Sequence, residues 1–142
     1  MAEYPYLERE PDSEGEWFYA LITLARHLRA PGGCPWDREQ SSADFAKFAA
    51  GESDEMLEAF AGSDESHKAE EVGDTLFCLL ASVAAAEEEG RFSLDEVLRG
   101  VHAKMIRRHD HVFGPVKANT PEEAVQAWDR AKEEEARQKQ GG

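Results

Sequence analysis

The chain is expected to fold as an all-α protein, a core of four main helices with an extra helix at the C-terminus. Three observations predict this. Apolar residues recur at three- and four-residue spacing in successive stretches, the period of a helix with one buried face. Residues that stop or cap helices fall between those stretches, at Pro31-Gly32-Gly33, at Gly62-Ser63-Asp64-Glu65-Ser66, at Gly90 and at Phe113-Gly114-Pro115. No strand-forming run and no internal repeat is present. With 142 residues, 41% of them hydrophobic, the chain suffices for one domain with its own core. The expected layout is an irregular arm over residues 1–15, one helical domain over 16–138 and a flexible tail over 139–142.

From Glu16 onward Trp17, Leu21, Leu24 and Leu28 mark the first helix, which Pro31-Gly32-Gly33 ends. Pro35-Trp36-Asp37 then reads as a rigid loop. Its Trp36 can stack on a base or can plug the core beneath the loop. Ser41 and Asp44 resemble a capping box that opens the second helix. Phe45, Phe48, Ala49, Met56, Ala59 and Phe60 form its apolar stripe. A third helix is expected from Ser66 or His67 to Glu89, with Gly90 as its stop. From Leu76 to Ala84 it is apolar nearly all round, which places it centrally or between subunits. Ser93-Leu94-Asp95-Glu96 caps the fourth helix, whose apolar face is Leu94, Leu98, Val101 and Met105. Thr120, Pro121 and Glu123 open the last helix. Trp128 anchors it, and the chain from Glu133 is expected to fray.

Charge narrows the function. There are 30 acidic against 16 basic side chains, a net charge of −14. Nucleic acids and anionic membranes attract basic surfaces, so neither is an expected partner. Cys34 and Cys78 sit in unlike settings without a CxxC pattern, and read as free thiols of a reducing compartment. No secretory signal is evident at the N-terminus. The uncharged stretch Thr75 to Ala86 is shorter than the ~20 residues that span a bilayer. A cytoplasmic location is expected.

The acids themselves are patterned. Glu52 and Glu55 lie three residues apart, as do Glu71 and Asp74, and residues at that spacing share one helix face. Glu52 falls within the apolar stripe, four residues from Phe48 and from Met56. A carboxylate on that side must be protonated, paired or metal-bound. Glu71, Asp74, Cys78 and Ser82 form one narrow strip on the third helix. If the break at residues 62–66 folds the two helices back on each other, four carboxylates face one centre. Hard divalent cations with oxygen ligands relieve such repulsion, which suggests a Mg²⁺ site for a polyphosphate substrate. Compensation of the helix dipole is the competing account of Glu71 and Asp74. Lys104, Arg107, Arg108, His109 and His111 make the densest basic cluster. They are either dipole partners at a helix end or a clamp on phosphate oxygens.

Several blocks together resemble the MazG-type nucleotide pyrophosphohydrolases. These are the loop from Pro31 to Gln40, the two acidic pairs, Glu87-Glu88-Glu89-Gly90-Arg91-Phe92, and the segment from Lys104 to Gly114. The resemblance implies hydrolysis of nucleoside triphosphates to monophosphate and pyrophosphate with Mg²⁺, or alternatively Mn²⁺. It further implies a homodimer or a pair of dimers completing the bundle. Glu52, Glu55, Glu71 and Asp74 would be the metal ligands, with Glu52 and Glu55 the candidate catalytic pair. Trp36, Gln40, Lys104, Arg107 and Arg108 are the candidate substrate contacts.

The pattern departs from the family in three places. Gly51 stands where the first of two adjacent glutamates is usual, Ser41-Ser42 replaces Thr-His, and Asp54 replaces an aromatic residue. The general base is therefore left open. A catalytically weakened member acting through protein partners is the alternative. An all-α di-iron protein would use Glu-x-x-His motifs, which this chain lacks. A purely structural acidic bundle would show no Mg²⁺-dependent change in stability.

Overall fold

The computed structural model describes residues 3–141, in which seven α-helices and no strand occur. The chain divides into two compact units, Met1–Leu94 and Asp95–Gly142.

In the first unit, α1 spans Glu14–Arg29. Ser13 caps it, its Oγ accepting from the Glu16 amide at 3.1 Å. The helix therefore starts two residues before the expected Glu16. The preceding arm is irregular but held down, with the Tyr4 hydroxyl donating to the Ala20 carbonyl at 2.7 Å. After α1 the chain reverses tightly. Gly32 has φ 86°, a left-handed conformation that favours glycine. A Cβ on Gly33 would lie 2.3 Å from the Leu28 carbonyl oxygen, so only glycine fits there. The expected rigid loop at Pro35-Trp36-Asp37 is instead one short helix, α2 (Pro35–Glu39). Proline at its first position is pre-set in φ and has no amide hydrogen to leave unpaired.

The second and third predicted helices form a hairpin, α3 (Ser42–Ala61) and α4 (Glu65–Glu88). The Ser41–Asp44 capping box is present in both directions, at 2.9 and 3.0 Å. Asp64 caps α4, which puts its start at Glu65 rather than at Ser66 or His67. Gly90, at φ 72°, ends it as expected. Gly90 and Arg91 donate to the carbonyls of Glu87 and Ala86, the two bonds of a Schellman cap. Antiparallel packing follows from the short connection, and the Ser82 hydroxyl near the far end of α4 donates to the Ser42 carbonyl at 2.8 Å.

Apart from Pro11 of the arm, the buried side chains of this unit come from α1, α3 and α4, and many are alanines: Ala20, Ala25, Ala49, Ala59, Ala81, Ala84, Ala85 and Ala86. Small side chains let helix backbones approach closely, and Phe45 fills the space between Ala81 and Ala85. Three consecutive glutamates then fasten the end of α4. Glu87 takes both prongs of Arg26 at 2.8 and 2.9 Å and also the Leu94 amide. Glu88 holds Arg29 of α1. Glu89 accepts from the Ser42 amide and hydroxyl at the start of α3, at 3.0 and 2.9 Å.

The second unit contains most of α5 (Leu94–Arg108), α6 (Asp110–Phe113) and α7 (Pro121–Gly141). The single turn α6 precedes the reversal predicted at Phe113-Gly114-Pro115. A Cβ on Gly114 would fall 2.7 Å from the Asp110 carbonyl oxygen, which explains the glycine. Thr120 Oγ1 accepts from the Glu123 amide at 3.2 Å, and the Glu123 carboxylate accepts from Asn119, so the predicted start of the last helix holds. Trp128 is an anchor through Arg108, whose guanidinium lies 4.9 Å from the ring centroid. The segment expected to fray from Glu133 is helical through Gly141. The helix α5 has no buried residue, and Leu98 and Val101 on its apolar face are 43% and 50% exposed. No described helix is long and apolar enough to cross a membrane.

Candidate metal centre and adjoining cleft

The helical hairpin brings acids from both of its helices together. Glu52 of α3 and Glu71 and Asp74 of α4 each offer a carboxylate oxygen, and these oxygens lie within 4.8 Å of one another. Glu71 is buried, at 8% exposure, and its Oε2 has no hydrogen-bond partner. Its Oε1 lies 3.9 Å from His67 Nδ1. Burial raises the Glu71 carboxyl above its usual range, and Asp74 pushes the same way; His67 opposes, and Glu52 and Glu55 add further upward pressure. A desolvated carboxylate with an orphaned oxygen, facing two more acids, is unfavourable by itself. A divalent cation resolves all three difficulties at once. Mg²⁺ and Ca²⁺ bind oxygens at about 2.0–2.6 Å, so two ligands of one ion lie no more than about 5 Å apart. The donor set is all oxygen, and its spacing fits.

Glu55 is not in that trio. It is exposed, one turn beyond Glu52, and both line a cleft of ≈ 640 Å³ beside the acids. The cleft also has an aromatic wall. Trp36 stacks on Phe48 with centroids 5.5 Å apart, and meets Phe45 edge-on at 6.0 Å. It remains 53% exposed, so it packs against the core while leaving surface towards the cleft. Gln40 is not in the lining: its side-chain amide donates to the Trp36 carbonyl at 3.1 Å, capping α2. Burial raises the Cys78 thiol above its usual value, with Glu52 and Asp74 adding to it, so the thiol lines the cleft as a neutral group.

The basic residues Lys104, Arg107 and Arg108 belong to the second unit and line a separate cavity of ≈ 400 Å³ there. Arg107 and Arg108 both hold Glu135 of α7, at 3.1 and 3.0 Å. These bonds, that from Arg108 foremost, keep the Glu135 carboxyl below its usual range. The cluster is thus partly neutralised within its own unit.

Two cleft residues were not singled out from the sequence: Lys47 and Asp37. For Lys47 a signal existed. Lys47, Gly51 and Glu55 follow at four-residue steps along one strip of α3, and all three line the cleft. A Cβ on Gly51 would meet nothing within 4 Å, so the strip is open at its middle.

Comparison with known proteins identifies the family. The chain is 38% identical over 120 residues to the nucleoside triphosphate pyrophosphohydrolase of Escherichia coli (strain K12), covering 84% of this chain and 46% of that protein. It is 33% identical over 121 residues to the nucleoside triphosphate pyrophosphohydrolase/pyrophosphatase MazG of Thermotoga maritima, covering 85% and 46%. It is 37% identical over 118 residues to the uncharacterized protein YabN of Bacillus subtilis (strain 168), covering 83% and 24%. The chain thus spans between a quarter and a half of the length of these curated relatives. No solved structure matches it. A family model described as the MazG nucleotide pyrophosphohydrolase domain matches residues 40–113, more than half of the length and the very segment that carries the acidic trio, and the chain belongs to that family.

Proposed function

We propose that this protein hydrolyses nucleoside triphosphates, ribo- or deoxyribo-, to the monophosphate and pyrophosphate, as a housecleaning activity on the nucleotide pool. The observation that carries the reading is the buried, unpartnered Glu71 oxygen beside Glu52 and Asp74, in a chain of this family. Glu52, Glu71 and Asp74 would hold Mg²⁺, or Mn²⁺, with Glu55 joining from the cleft side. When bound, such an ion neutralises phosphate oxygens and acidifies a water at the α–β linkage. By placing that ion the carboxylates would set where the phosphate chain lies, and the exposed face of Trp36 would offer the nucleobase a stacking surface. Glu52 and Glu55 are the candidate catalytic pair.

Lys104, Arg107 and Arg108 are proposed to meet the leaving pyrophosphate, and Gln40 to act only by holding Trp36 in place. Because Glu135 occupies both arginines, phosphate would have to displace it. Exposed Leu57, Phe60, Val72 and Leu79 on the α3–α4 hairpin, at 72%, 56%, 43% and 51%, suit burial in a homodimer or a pair of dimers. Two free thiols suit the cytoplasm.

The test is to incubate the protein with a panel of ribo- and deoxyribonucleoside triphosphates and Mg²⁺. Equal amounts of monophosphate and pyrophosphate are expected, and Glu52→Gln or Asp74→Asn should abolish them. Release of orthophosphate would overturn the reading. One observation favours a second reading, a weakened member that binds nucleotide without turnover: at Gly51 the cleft has no side chain. Nucleotide binding with no product would select it.

A further inference from the structure

The aromatic wall of the cleft is flanked by opposite charges from two different helices. Asp37 follows Trp36 on α2, and Lys47 precedes Phe48 on α3, and both line the cleft beside the stacked rings. Among the described residues no ion pair joins either side chain to another group. Arg29 reaches only the Asp37 backbone carbonyl. Lysine side chains on a helix lean towards its N-terminus, so Lys47 leans away from Glu52 and Glu55. Lys47 is therefore placed at the aromatic end of the cleft, away from the acids.

We infer that Lys47 and Asp37 read the edge of the nucleobase and select guanine. This deepens the nucleotide reading above and rests on it. A base stacked on the exposed face of Trp36, whose other face meets Phe48, would have an ammonium on one helix and a carboxylate on the other to meet. Lysine has three donors and no acceptor, and an ionised aspartate accepts only. Guanine answers both: O6 and N7 are adjacent acceptors for the ammonium, and N1–H and N2–H₂ are adjacent donors for the carboxylate. Adenine sets its N6–H₂ donor next to N7, which repels a donor-only side chain and suits the amide of Gln or Asn instead.

Tryptophan fluorescence of the metal-free protein, titrated with guanosine, inosine and adenosine, tests this without phosphate, metal or turnover. Guanosine should bind about tenfold more tightly than adenosine, as one well-formed contact of this kind allows. Inosine, which keeps O6, N7 and N1–H, should fall between them. Lys47→Gln should bring adenosine level with guanosine or ahead of it, Lys47→Arg should keep the guanine preference, and Asp37→Asn should weaken guanosine more than adenosine. Equal binding of guanosine and adenosine, binding of neither, or a preference unmoved by Lys47→Gln would overturn the inference. A protein that hydrolyses triphosphates without preferring guanine fails this inference alone. One that prefers guanosine but releases no pyrophosphate fails the hydrolase reading alone.

Discussion

The helix α4 carries acids in opposite circumstances along its length. At its C-terminus Glu87, Glu88 and Glu89 sit where the helix dipole disfavours negative charge, and each is compensated: by Arg26, by Arg29, and by the Ser42 amide and hydroxyl. Near its N-terminus Glu71 and Asp74 meet Glu52, another acid, and Glu71 keeps a buried oxygen without a partner. One set is compensated within the chain; the other keeps a buried oxygen without a hydrogen bond, for which the proposed cation would supply the missing charge. The number of acids does not distinguish them. What the neighbouring helix brings up against them does.

That contrast can be broken most visibly at the unpaired end. Glu71→Gln should cut pyrophosphate release by about 10²–10³-fold or more, the scale of removing one group that organises transition-state charge. The melting temperature of the metal-free variant should be unchanged or higher, because like-charge repulsion is relieved. A variant that folds less stably without metal and still turns over would reverse the assignment. Next in size is the response to metal. Mg²⁺ at 100 times its dissociation constant should stabilise the protein by about 2.7 kcal/mol, as read from thermal melts. Glu71→Gln should lose this gain, whereas Arg26→Ala should retain it.

At the paired end, Arg26→Ala should destabilise by about 1 kcal/mol or less in urea titrations, since the pair is two-pronged but partly exposed. The ends should also answer pH with opposite signs in the metal-free protein. Arg26 holds the Glu87 carboxyl low, and Ser42 does the same for Glu89. Their contribution is present above the ordinary carboxylate range and is lost as pH falls through their depressed folded values. Glu71, raised by burial, works the other way: stability is lost as pH climbs from the ordinary carboxylate range through its raised value. Melting curves of Glu87→Gln and Glu71→Gln across mildly acidic pH separate the two slopes. The smallest effect is expected across the cleft. Gly51→Ala should stabilise by about 0.5–1 kcal/mol, because a mid-helix glycine gives way to alanine in open space. Gly33→Ala should destabilise, since its Cβ would strike the Leu28 carbonyl.

Much of the molecule was legible without coordinates. The Ser41–Asp44 box, the Gly90 stop and the hairpin break could be read because caps and periodicity act within a few residues. The acidic strip on α4 was legible for the same reason. Short helices were not: α2 and α6, of five and four residues, are too brief to show a period.

The sequence by itself determined where helices start and stop and which acids share a face, since those follow from bonds and spacing along one turn. Only the tertiary structure decided that Glu52, Glu71 and Asp74 converge while Glu55 lies outside their group, and that Glu87 is neutralised by a residue 61 positions away. It also set Lys47 and Asp37 beside one aromatic wall. The physical reason is that charge interactions depend on separation in space and on burial, and neither is a local property of the chain.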